Sequence, residues 1–97
     1  MDIILSKSNR KGKKYMVKVN GKTIHFGAQG YEDYTTHKDP KRKASYIARH
    51  KARENWGKSG ITTSGYWAYH LLWGEPTLTA SIKKLEQKHN INIINKT

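Results

Sequence analysis

The chain has no cysteine, and of its 97 residues only two are proline and seven are acidic. Without thiols there is no disulfide, no thiolate nucleophile and no cysteine-held zinc, and the composition agrees with a reducing compartment. Long apolar runs are also missing. Ile3 to Leu5 and the broken stretch Tyr66 to Trp73 fall far short of the roughly 18 residues that span a bilayer, so no membrane span is expected. The first residues lack the charged-then-apolar layout of a secretory signal and the last carry no lipidation signal. The expectation is a protein that stays in the compartment where it is made.

What is abundant is positive charge. Nineteen Lys and Arg against the seven acids give a formal charge of +12, while only 35% of the residues are hydrophobic. A single small domain is the upper limit, and a chain of this length buries roughly two-thirds or less of its unfolded surface. Self-repulsion narrows the stability margin further, which favours a charge-neutralising partner. Three Trp and six Tyr exclude a simple disordered tail.

The clearest local signal is Asn20-Gly21, set between two alternating runs from Lys14 to Gly27. That dipeptide suits the two left-handed positions of a type I′ turn, so a hairpin is predicted. A two-residue loop pairs Val19 with Lys22, Val17 with Ile24 and Tyr15 with Phe26, placing the large apolar side chains except Met16 on one face. Ile3 to Leu5 is a candidate third strand, with Ser6 to Gly12 as a basic loop. Gly30 to His37 has neither helix nor strand period and reads as an ordered, aromatic-rich connector.

Asp39-Pro40 opens a helix, with Asp at the N-cap and Pro at the first helical position, and no breaker intervenes before Gly57. A second helix is expected from Thr63 or Ser64 through Trp73, and a third from about Thr79 to His89. Residues 90–97 are left between a short strand and a tail. The fold class is therefore α+β: an N-terminal antiparallel hairpin followed by two or three short helices. Residues 1–13 form a basic strand or arm, and 14–89 the one domain.

On a helical wheel, Ala44, Ile47, Ala48 and Ala52 share one face of the first helix, and Arg42, Tyr46, Arg49, His50 and Arg53 the other. Arginine's planar fork holds phosphate or carboxylate with two hydrogen bonds, and a tyrosine ring stacks on a base or a guanidinium. Arg42, Tyr46, Arg49 and Arg53 are thus the candidate anion-binding ridge, the alternative being an ordinary solvated helix face. Lys11, Lys13 and Lys14, with Lys7 and Arg10, form a second basic patch suited to non-specific phosphate contacts or to solubility alone.

The five histidines show no i, i+4 metal spacing, and Gly57-Lys58-Ser59-Gly60 lacks the glycine and strand that precede a phosphate loop. The scattered acids offer no carboxylate pair. No catalytic residues, metal or cofactor are expected. The second helix is apolar around much of its circumference, which asks for covering on two sides. Trp67 and Trp73 are the candidate apolar anchors for a neighbouring chain, with self-association one form of it and a complete internal core the alternative.

The block from Phe26-Gly27-Ala28 through His37-Lys38-Asp39, with Arg49 to Trp56, Lys58-Ser59-Gly60 and Leu71-Leu72-Trp73, resembles a small basic protein family of large nucleocytoplasmic DNA viruses of algae and amoebae. The resemblance spans about residues 14 to 85. It implies a virion setting, with assembly in host cytoplasm, and carries over no site residues. The resulting expectation is a non-enzymatic minor capsid protein that bridges capsid or other virion proteins. The alternative is a genome-packaging protein that binds the DNA or RNA phosphate backbone.

Overall fold

The structure, a computed structural model, describes residues 2–97. Strands β1 (Asp2–Lys7), β2 (Lys13–Val19), β3 (Lys22–Ala28) and β4 (Asn92–Asn95) form one sheet in the order β3-β2-β1-β4. Helices α1 (Tyr34–His37), α2 (Pro40–His50), α3 (Ser64–Trp67) and α4 (Leu78–His89) follow the hairpin, so the chain is α+β as expected. Of the expected arm at 1–13, Asp2–Lys7 is a strand flanked on both sides, and its first residue lies outside the described ones.

The hairpin has the register read from its turn: Val19 opposite Lys22, Val17 opposite Ile24, Tyr15 opposite Phe26. Asn20 and Gly21 take φ of 50° and 75°, both left-handed, as a type I′ turn requires. The candidate third strand also forms. β1 runs antiparallel to β2 and parallel to β4, where Ile3 lies opposite Ile93 and Ile4 opposite Ile94. That parallel pairing settles the two readings of residues 90–97 in favour of a strand at the sheet edge.

Alternation puts Ile3, Leu5, Val17, Val19, Ile24, Phe26 and Ile93 on one face, where they meet Tyr66, Trp67, Leu71, Leu72, Ile82 and Leu85. Full burial of an aliphatic or aromatic side chain is worth about 1.5–3 kcal/mol, so this layer supplies most of the driving force. Thr63 caps α3 and Thr77 caps α4 with their side-chain oxygens. α3 continues as a π-helical turn, Ala68–Leu72, whose wider winding shifts the phase of the side chains. Tyr66, Trp67, His70, Leu71 and Leu72 are buried, while Tyr69 and Trp73 are half-buried.

The expected faces of α2 hold for Ile47, which turns inward, and for Arg42 and Arg49, which stay exposed, but not for the alanines, Tyr46 and His50. Ala44, Ala48 and Ala52 are exposed, and Lys43, Tyr46, Ile47 and His50 face inward. Alanine methyls offer little area to bury, whereas Tyr46 finds aromatic partners, and the larger gain sets the rotation of the helix. Lys43 Nζ donates to the Gly74 carbonyl at 2.7 Å, which satisfies the one charged group turned inward. The helix also stops at His50 instead of continuing toward Gly57. A turn at 51–53 lets Trp56 stack on Tyr69 with centroids 3.8 Å apart, a contact that a continued helix would forfeit.

The second cover for the aromatic helix is therefore internal. Trp67 is fully buried and its Nε1 donates to the Ile61 carbonyl at 2.8 Å, so it is a core residue and not an anchor for another chain. Large apolar side chains are exposed only at Ile4, Tyr31 and Ile94 among the described residues. No helix among them is long and apolar enough to cross a membrane.

Candidate functional site

Near the end of β3, Gly27 has a φ of 79° and a close approach to Leu72 that leave no room for a side chain. A Cβ there would lie 2.8 Å from Leu72 Cδ1. The chain then crosses to Asp33, which is 3% exposed. Its carboxylate accepts from the Thr35 amide at 3.0 Å and from Lys14 Nζ at 2.6 Å, tying the connector to β2 while capping α1. The aromatic connector is thus ordered, and it contains a one-turn helix that its sequence period did not signal.

Between this connector and α2 lies an open cleft of about 650 Å³. Phe26, Ala68, Leu72 and Trp73 contribute its apolar lining, α2 contributes Arg42, Ser45, Tyr46, Arg49 and His50, and β2 contributes Lys13 and Lys14. Glu54 closes one end against Gly65, where a Cβ would fall 1.4 Å from Glu54 Oε2 and push that side chain aside. Tyr46 stacks on Trp73 with centroids 4.3 Å apart and on His50 at the same separation.

Four cations, Lys13, Lys14, Arg42 and Arg49, line the cleft with three carboxylates, Glu32, Asp33 and Glu54. Lys14 is committed to Asp33 in a half-buried pair. Arg42 meets Glu32 at 3.8 Å with both side chains more than half exposed, a weak contact. Lys13 and Arg49 have no carboxylate within ion-pair distance among the described residues. Burial, and after it the Glu54 carboxylate, push the Tyr46 phenol up to about 12, so it remains a neutral donor at physiological pH.

Of the residues singled out in the sequence, Arg42, Tyr46, Arg49, Lys13 and Lys14 come together here, from two elements far apart in the chain. Tyr46 is a wall residue, 8% exposed, and not part of an exposed ridge. Arg53 is exposed in the turn after α2, and Lys11 in the turn before β2; neither borders the cleft. Trp73 is half-buried in its wall. Tyr31, Glu32 and Glu54 also line it, and sequence reasoning passed over all three. The only sequence signal for Tyr31 is its place beside Gly30 in a connector with no apolar period.

The histidines divide differently from the candidates weighed in the sequence. His37 Nδ1 accepts from the Asp39 amide at 2.9 Å, and its ring lies against Trp73. His70 and His89 come together around Tyr66. Desolvation lowers His70 to about 4, despite its bond to the Trp56 carbonyl at 2.7 Å, so the ring is neutral at pH 7. No group of three or more candidate metal ligands occurs among the described residues.

Residues 3–50 match a family of unknown function, DUF5754. The matched stretch runs from β1 to the end of α2 and includes Lys13, Lys14, Tyr31, Arg42, Tyr46 and Arg49. No curated protein and no solved structure matches the chain.

Proposed function

We propose that this chain is a non-enzymatic nucleic-acid-binding protein that holds a phosphate backbone at the cleft between the hairpin and α2, in a genome-packaging or genome-organising role. The observation that carries the reading is the convergence of Lys13, Arg42 and Arg49 on one cleft walled by Tyr46 and Trp73. The three carboxylates lining the cleft do not cancel its four cations: Asp33 is taken by Lys14, Glu32 is a loose, exposed partner that phosphate can displace, and Glu54 alone faces Lys13 and Arg49. Arg42 and Arg49 both lie on α2 and stand about 10 Å apart along its axis at 1.5 Å per residue, a length that faces roughly three phosphates of one strand.

The test is binding of random-sequence DNA, single- and double-stranded, from about 50 to 300 mM salt. Each neutralised phosphate contributes about 0.9 to the slope of log affinity against log salt on duplex. The double variant Arg42→Ala/Arg49→Ala is expected to reduce that slope by about 2. Absence of binding at low salt, or a slope the variant leaves alone, overturns the reading.

A second reading, a minor capsid protein that bridges larger virion proteins, draws its setting from the viral resemblance. One feature favours it: Ile4 and Ile94 lie opposite each other on the uncovered sheet face, 36% and 39% exposed, where another protein would bury both. It predicts stoichiometric copies beside shell proteins in a virion density map, and the absence of the chain from purified particles overturns it.

A further inference from the structure

Tyr31 is the most exposed large apolar side chain among the described residues, at 74%, and it stands on the lip of the cleft. Its placement comes from the backbone and not from packing. Gly30 takes a φ of 84°, and the Tyr31 amide donates back to the Ala28 carbonyl at 3.4 Å, a turn that leaves the ring in water. The two acids that follow are matched already, Glu32 by Arg42 and Asp33 by Lys14. That leaves Lys13 and Arg49 against a single unpaired carboxylate, Glu54, so the charge lining the cleft is net positive.

A ring and several cations at one concave site suit a ligand that alternates anionic groups with flat apolar faces. A duplex keeps its base faces inside the stack and offers phosphate alone. An acidic polypeptide offers carboxylates without the faces. An unpaired strand offers both, and the cleft volume of about 650 Å³ falls within the roughly 300–1,000 Å³ of sites that enclose drug-sized ligands, the size class of a nucleotide or two. Resting on the phosphate-binding reading above, we infer that the cleft takes an unpaired nucleic-acid segment, with a base stacked on Tyr31 and the flanking phosphates on Arg42, Arg49 and Lys13.

The experiment compares a random-sequence single-stranded oligonucleotide of about twelve nucleotides, a length within the ~4–16 bound by small single-strand modules, with its duplex and with polyglutamate, at one salt concentration. The native chain is expected to prefer the single strand. Tyr31→Ala is expected to weaken single-strand binding about 5- to 150-fold while leaving duplex affinity and its salt slope unchanged, and Tyr31→Phe to retain the native value. Tyr31 is 74% exposed, so neither variant disturbs the core, and a thermal melt verifies that. If Tyr31→Ala binds the single strand as well as the native chain does, while Arg42→Ala/Arg49→Ala still weakens it, the inference falls and the phosphate reading stands. Binding of neither DNA form overturns both. Equal losses on polyglutamate and on the single strand also overturn the inference, because the ring would then read something other than a base.

Discussion

Tyr46 and Trp73 lie face to face, with ring centroids 4.3 Å apart and planes within 5° of parallel. The pair joins α2 to the end of the π-helical turn, and thus joins two walls of the cleft. Stacked rings add about 0.5–1.5 kcal/mol beyond the area they bury.

Tyr46→Ala is expected to cost about 3–5 kcal/mol, as for other large core aromatics, out of a total of about 5–15 for a domain of this kind. Tyr46→Phe keeps the stack and is expected to cost less than about 1 kcal/mol, since only a hydroxyl is lost. Urea denaturation of the three proteins measures the difference. Equal losses for the two variants would place the stabilisation in the hydroxyl and not in the stack.

Stability is expected to fall at both ends of the pH range. His70 is lowered from 6.5 to about 4 by burial, so the unfolded chain takes up a proton that the folded one refuses. Its contribution is complete above pH 6.5 and is lost as pH falls toward 4. Tyr46 and Tyr66 are raised from 10.0 to about 12, so the folded chain keeps protons that the unfolded one releases; stability is complete below pH 10 and falls between 10 and 12. Urea midpoints at pH 7.5, 5 and 11 test both limbs, and His70→Gln is expected to flatten the acidic one.

Two glycines make close approaches with different consequences. At Gly60 a Cβ would lie 2.0 Å from the Asn55 carbonyl oxygen, which is backbone and cannot swing aside. Gly60→Ala is expected to cost about 1–3 kcal/mol, the usual range for forced overpacking. At Gly65 the obstacle is the end of the Glu54 side chain, which can rotate into the cleft. Gly65→Ala is expected to cost less, and its effect to appear in DNA binding as Glu54 enters the cleft. Thermal melts and binding curves on both variants separate the two cases.

Glu32 competes with phosphate for Arg42. The exposed pair at 3.8 Å is worth about 0.2–1 kcal/mol, so Glu32→Gln is expected to strengthen DNA binding by about 1.4- to 5-fold with an unchanged melting temperature. Weaker binding in that variant would mean that Glu32 positions Arg42 instead of occupying it.

The readable parts of the fold are those whose signals are local. Asn20-Gly21 and the alternation on each side specify the hairpin and its register, and Asp39-Pro40 marks the start of α2 to the residue. The site was legible as a list of cations and one ring, yet not as a place. Nothing in the spacing of Arg42 and Arg49 tells that Lys13 stands across from them, because the cleft exists only once Gly27, Asp33 and Lys14 have turned the connector over α2. The wheel for α2 placed Ile47 and the arginines rightly but misplaced Tyr46, His50 and the alanines, because it ranked faces by hydrophobic type. The area available for stacking on Trp73 decided instead.

Charge, the absence of thiols, the turn residues and the helix caps were determined by the sequence itself, since each acts through bonds and neighbours a few positions away. Tertiary structure decided which side of α2 faces inward, that Trp67 fills the core while Tyr31 stays in water, and that β4 lies beside β1. Those outcomes depend on which surfaces meet across the fold, and the burial gained in such meetings outweighs any preference held within a single segment.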